Sequence, residues 1–129
     1  MKLMGGYKDL MAYKMAFNLA MDIFAVSKKF PKEETYSLTD QIRRSSRSTA
    51  ANLAEGYRKR NYPAFFLSKM IDCDGENSET QVWLDFSLAC NYVTEEEHKT
   101  LSQHADEVGK LIYHLIHYPE KYGVKTNKT

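Results

Sequence analysis

The sequence predicts an all-α protein, an antiparallel up-down-up-down four-helix bundle, on three observations. Six glycines and three prolines in 129 residues are too few for a turn-rich β fold. Pro31, Pro63 and Pro119 divide the chain into long stretches, with no glycine-serine linker or internal repeat. Within those stretches apolar residues recur at helical rather than strand spacing. Short connections then place consecutive helices antiparallel. Residues 1–123 read as one bundle domain and residues 124–129 as a polar tail.

The first helix is expected from about Lys8 to Phe30. Leu10, Tyr13, Phe17, Ala20 and Phe24 fall on one stripe, and Leu19, Ile23, Val26 and Phe30 on another beside it. Together they cover about half the helix, more than a core seam of ~100° needs. The excess is either broad core contact or a subunit interface. Pro31 stops the helix because its ring clashes with the preceding turn.

The second helix begins near Ser37, where Ser37 and Asp40 have capping-box spacing. Leu38, Ile42, Ser46, Thr49, Leu53 and Tyr57 form its inward stripe, whose small members allow close helix approach. It runs out near Asn61, before Pro63. The third helix covers about Pro63 to Tyr92, with Phe66, Met70, Cys73, Thr80, Leu84 and Leu88 on one face. Gly75 and Asn77 make its middle a place to expect a kink. The fourth opens on a capping box, Thr94 with Glu97, and buries Leu101, Ala105, Val108, Leu111, Ile112 and Leu115 before Tyr118-Pro119 closes it.

Composition excludes several classes. Eighteen Lys and Arg against 17 Asp and Glu give a net charge of +1, so any basic site arises from local clustering. A 43% hydrophobic content suits a packed core. No run of ~18 apolar residues spans a membrane, and the N-terminal MKLMGGYKDLMAYK lacks a signal-peptide core. Cys73 and Cys90 are 17 residues apart on one expected helix, ~25 Å by helical rise and far beyond disulfide reach. These features predict a reduced, cytoplasmic protein.

The most informative cluster is basic. Between Ser37 and Asn61 stand six cations, Arg43, Arg44, Arg47, Arg58, Lys59 and Arg60, against two acids, Asp40 and Glu55. Arg43, Arg44, Arg47 and Arg58 project within an arc of ~100°, where guanidinium forks can engage successive phosphates. Tyr57 and Tyr62 flank the basic end and suit stacking on unpaired bases. A structural alternative exists for part of this cluster. Asp72, Glu76 and Glu79 form an acidic stripe on the third helix. In an antiparallel hairpin Arg47 lies level with Glu76 and Asn77, and Arg43 near Glu79 and Gln81, so the stripe is expected to neutralise both, within the subunit or across an interface. Arg58, Lys59 and Arg60 have no acids opposite and are the stronger nucleic-acid candidates.

Other chemistries find little footing. Asp72 to Asn77 superficially suggests a calcium loop, but its glycine is fourth rather than sixth and Trp83 stands where a bidentate acid belongs. A di-iron bundle needs a Glu-x-x-His on each of two helices, and this sequence has one, Glu95 to His98; it has no nucleophile elbow and no phosphate-binding glycine loop. His114 and His117 project beside Lys110 and Tyr113 as a solvated or oligomer-facing surface, and His104 reads as a packing residue. The expectation is therefore no enzyme activity, no metal and no cofactor.

Phe30-Pro31-Lys32-Glu33-Glu34, Gln41-Ile42-Arg43-Arg44-Ser45 and Ala51-Asn52-Leu53-Ala54-Glu55-Gly56, taken in order, resemble the four-helix bundle proteins encoded in 23S rRNA intervening sequences. Phe66-Leu67-Ser68-Lys69, Glu76, Glu79-Thr80 and Trp83-Leu84 are similar to that family's third helix, so the resemblance covers about Tyr7 to Tyr122. It implies a small bacterial bundle assembled as a ring-like homo-oligomer, typically a pentamer, with an RNA or other nucleic-acid association. A related family, the accessory variability determinants of retroelements, are basic pentamers that bind nucleic acid and a reverse transcriptase. This chain departs from the pattern at Asp72, Asp74 and Gly75 and in its near-neutral charge.

The leading expectation is thus a non-enzymatic oligomeric bundle that binds RNA or other nucleic acid through backbone phosphates. The alternative is a protein-interaction scaffold whose wide first helix and acidic third-helix stripe dock partners.

Overall fold

The computed structural model describes residues 6–126, and among these every regular element is helical. Helices α1 (Met11–Ser27), α2 (Leu38–Arg58), α3 (Pro63–Ala89) and α4 (Glu95–His117) are joined by short connections, with 3-10 turns at Tyr7–Asp9, Lys32–Glu34 and Pro119–Tyr122. No helix among the described residues is long and apolar enough to cross a membrane.

Contacts across the seams give the helix directions. On the α2/α3 seam Arg44 meets Glu79 while Glu55 meets Lys69. On α3/α4, Asn77 meets Ala105 while Asp85 meets His98. On α1/α4, Asp22 faces His104 while Lys29 meets Glu97. Residue numbers run oppositely on all three seams, so α1 is parallel to α3 and antiparallel to α2. The arrangement is up-down-up-down. It gathers the start of α1, the end of α2, the start of α3 and the end of α4 at one end of the bundle.

The predicted inward residues form the core. Ile23, Ile42, Leu53, Phe66, Met70, Leu84, Val108, Ile112 and Leu115 are buried together. The α2/α3 seam is close because its residues are small: Ser45 and Thr80 hydroxyls bond at 2.8 Å inside it, and Gly56 leaves no room for a side chain. A Cβ there would sit 2.8 Å from Lys69 Cβ and 2.6 Å from Met70 Cε. α3 is one unbroken helix through Gly75 and Asn77. Asn77 is buried and donates from Nδ2 to Ala105 O at 2.9 Å, so its polar group has a partner on α4.

Several expectations are corrected. The first helix starts at Met11 instead of Lys8, because Leu10 is extended after the Tyr7–Asp9 turn. It ends at Ser27. Its buried face is Ala12, Ala16, Leu19, Ala20 and Ile23, while Phe17 is exposed and Tyr13 and Phe24 lie on the rim. The Ser37 capping box does not form. Ser37 has φ −125° and ψ −107° and makes no side-chain cap bond, because capping needs an extended backbone at that position. Glu34 Oε1 accepts from the Leu38 N–H instead, at 3.3 Å. The Thr94–Glu97 box is complete. The second and third helices end at Arg58 and Ala89, the latter followed by Asn91 at φ 63°. Val124, placed by sequence in the polar tail, is buried against the core. Residues 127–129 of that tail lie outside the described residues.

Candidate functional site

The outer face of α2 carries two groups of cations. Near its start, Arg43, Arg44 and Arg47 line one open groove of about 500 Å³ with Thr35, Thr39, Asp40, Ser48 and Ala51. Arg43 and Arg47 lean toward α1. The Arg43 Nε–H donates to Ser27 Oγ at 2.7 Å, and its guanidinium lies 4.7 Å from the Phe24 ring centre. Arg47 lies 5.4 Å and Lys28 4.8 Å from the same ring. One aromatic on the rim of α1 thus holds three cations by attraction to its π face.

Within the subunit, α3 does not neutralise these two arginines. Neither Arg43 nor Arg47 pairs with a carboxylate among the described residues. The reason is the ~100° turn between successive helical residues: Arg44, one position on from Arg43, faces α3 instead. Its guanidinium lies 3.6 Å from Glu79 Oε1 and donates to Gln41 Oε1 at 3.1 Å. Glu79 also accepts from Trp83 Nε1 at 3.1 Å. Of the other stripe members, Asp72 is exposed and forms no ion pair, and Glu76 is half-buried with Oε2 enclosed and unpartnered among the described residues.

Fifteen residues further along α2, ~22 Å by helical rise, stands the second group. Arg58 is exposed at the last turn, and Lys59 is exposed at the C-cap. Neither has a carboxylate within ion-pair distance among the described residues. Their positions suit the negative end of the helix dipole, which favours placing cations there but leaves their charge facing solvent. Arg60 stacks on the Tyr57 ring at 3.7 Å, and Lys59 lies 5.9 Å from the Phe65 ring. Tyr62 is exposed beside them. Phe24 as a platform for cations escapes sequence analysis, because two of its three partners, Arg43 and Arg47, come from another helix.

Elsewhere the chemistry is quiet. Cys73 is buried, and burial, with help from Asp72, pushes its thiol up to about 12, so no thiolate is available near neutral pH. Cys90 is exposed at the end of α3. Among the described residues no three His, Cys, Asp or Glu side chains gather as a metal site. His104 sits 4.0 Å from Asp22. His98 contacts Asp85 at 2.9 Å.

A family model described as 23S rRNA-intervening sequence protein matches residues 8–114. The chain is also similar to the crystal structure of a protein with unknown function from the S23 ribosomal protein family of Bacteroides thetaiotaomicron. The two share 25% identity with a TM-score of 0.75, over 83% of this chain and 99% of that one. Among curated proteins, none matches.

Proposed function

The chain belongs to the 23S rRNA-intervening sequence protein family, and we propose that it is a non-enzymatic, homo-oligomeric bundle that binds RNA or other nucleic acid through backbone phosphates. One observation carries this reading: Arg43, Arg47, Arg58 and Lys59 lie along α2 without a carboxylate partner among the described residues. A near-neutral chain thereby keeps an uncancelled cationic strip. Arginine forks match phosphate oxygens in charge and geometry, and phosphate contacts position a nucleic acid without reading its sequence.

Assembly has its own support. Leu67, Ile71, Val82 and Phe86 are exposed along one stripe of α3, turned away from the bundle's core. They stand as two pairs, Leu67 with Ile71 and Val82 with Phe86, with Asp74, Gly75 and Ser78 between them; exposed apolar side chains in such number on one helix suit an interface, and a second copy of the chain is the occupant that the family resemblance favours. The same stripe supports the scaffold reading, in which a protein partner is bound and nucleic acid is not.

Fluorescence anisotropy with a labelled structured RNA, and with a scrambled version of it, tests the proposal. Binding of both at low salt, lost steeply as salt rises, supports it. An oligomer by light scattering that binds neither RNA at low salt overturns it in favour of the scaffold.

A further inference from the structure

The bundle end that carries Arg58 and Lys59 also carries aromatic rings and cations from the end of α2, the end of α4 and the 3-10 turn that follows it. At the end of α2, Arg60 stacks 3.7 Å from the Tyr57 ring. The Tyr122 hydroxyl and His114 Nδ1 share a hydrogen bond of 2.6 Å, and their rings meet edge-on at 5.6 Å. His114 stacks on Tyr118 at 4.7 Å, and Lys121 lies 5.0 Å over the other ring of that pair, Tyr118. One helical step away, Tyr113 and His117 stack at 4.0 Å.

These rings are held and yet open. Tyr113 is 59% exposed and Tyr118 42% exposed, although each is fixed against a histidine one turn along α4. A ring already restrained loses little freedom when something stacks on it. Cations sit among the rings, and the unpaired charges of Arg58 and Lys59 stand at the same end by the helix directions. Alternating aromatic and cationic groups suit a strand whose bases have free faces and whose phosphates are regularly spaced. A duplex keeps its bases stacked on one another and gains nothing from such rings.

We propose that this end of the bundle is a stacking platform for unpaired nucleotides, with Tyr113 and Tyr118 taking bases and Arg58 and Lys59 taking phosphates. The proposal rests on the nucleic-acid reading above and narrows it to single-stranded segments. Neither histidine needs a catalytic role; His114 and His117 position the tyrosine rings.

The test compares a labelled oligouridylate of about 15 nucleotides with a duplex of the same length, by anisotropy on the full-length protein. Tyr113→Leu with Tyr118→Leu weakens oligouridylate binding by about tenfold per ring, leaves duplex binding alone and keeps the salt slope. Tyr113→Phe with Tyr118→Phe binds like the parent, because the rings remain. Arg58→Gln with Lys59→Gln weakens both ligands and flattens the salt slope. If the double leucine variant loses its melting transition, Tyr113→Leu alone, at the more exposed ring, serves. Leucine variants that bind oligouridylate as the parent does, or lose both ligands equally, overturn the platform while salt-sensitive binding stands. A parent protein that binds neither ligand at low salt overturns both proposals.

Discussion

Arg43 donates from Nε to Ser27 Oγ at 2.7 Å, tying the start of α2 to the end of α1. The bond fixes which way the guanidinium turns: toward α1 and the Phe24 ring, away from the acids of α3. A side chain that sequence spacing assigns to charge neutralisation is instead held by a neutral hydroxyl and a π face, and its positive charge stays uncancelled.

Arg43→Gln and Arg47→Gln are therefore expected to weaken RNA binding. Arg47→Gln costs at most about 1 kcal/mol of stability, the worth of an exposed cation–π contact, and Arg43→Gln up to about 3 kcal/mol, because it also removes the bond from a charged donor to buried Ser27. Arg44→Gln removes the ion pair to Glu79, an exposed contact worth about 0–1 kcal/mol. Denaturant melts alongside anisotropy separate the two effects. A large stability loss at Arg43 with unchanged RNA binding would assign it to the scaffold alone.

Gly56→Ala should destabilise the bundle. The new Cβ meets Lys69 Cβ at 2.8 Å, and that atom cannot swing away as Met70 Cε can. Overpacking of about 1–3 kcal/mol outweighs the helix-propensity gain of about 1 kcal/mol. Thermal melting shows the balance directly: a raised Tm means the α2/α3 seam opens more easily than its close contacts imply.

The two predicted helix caps should behave differently. Thr94→Ala breaks a complete capping box and is expected to cost about 1 kcal/mol. Ser37→Ala removes a side chain that makes no cap bond, so its effect stays within about 0.5 kcal/mol, as for an ordinary surface change. Urea melts of both variants check this pair, and equal losses would contradict the observed start of α2.

Glu97 links cap and tertiary contact. The hydrogen bond from Lys29 foremost, and then the Thr94 backbone N–H, hold its carboxyl below the ordinary 4.5. Because the folded-state value is depressed, its contribution is present at neutral pH and is lost as pH falls below about 4.5 through the folded-state value. Glu97→Gln should therefore lower stability at neutral pH and narrow its gap to the parent in acid. A gap that stays constant from neutral pH into acid would mean the carboxylate's charge contributes nothing.

Architecture was legible because it depends on patterns within one segment. Leu53, Met70 and Val108 are buried because 3.6-residue periodicity puts them inward, and Thr94 caps because its partner is three residues away. Contacts between segments were not legible at the same level. Asking which acid lies level with Arg43 required helix rotation as well as register, and an error of one position, ~100° around the axis, exchanges Arg43 for Arg44. Ser37 failed as a cap because its backbone conformation is set by the turn before it. The exposed charge of Arg58 and Lys59 was legible from the lack of acids opposite them, whereas the ring series through Tyr122 and His114 exists only once the chain returns past α4.

The most direct measurement is the salt dependence of oligonucleotide affinity in the parent protein and in Arg58→Gln, Lys59→Gln and Arg43→Gln variants. If the α2 strip neutralises phosphates, log K falls linearly with log salt, and each substitution lowers the slope by about 0.7 per lost contact with a single strand. A slope that is flat in the parent, or unchanged in all three variants, would show that the cations of α2 do not meet a polyanion.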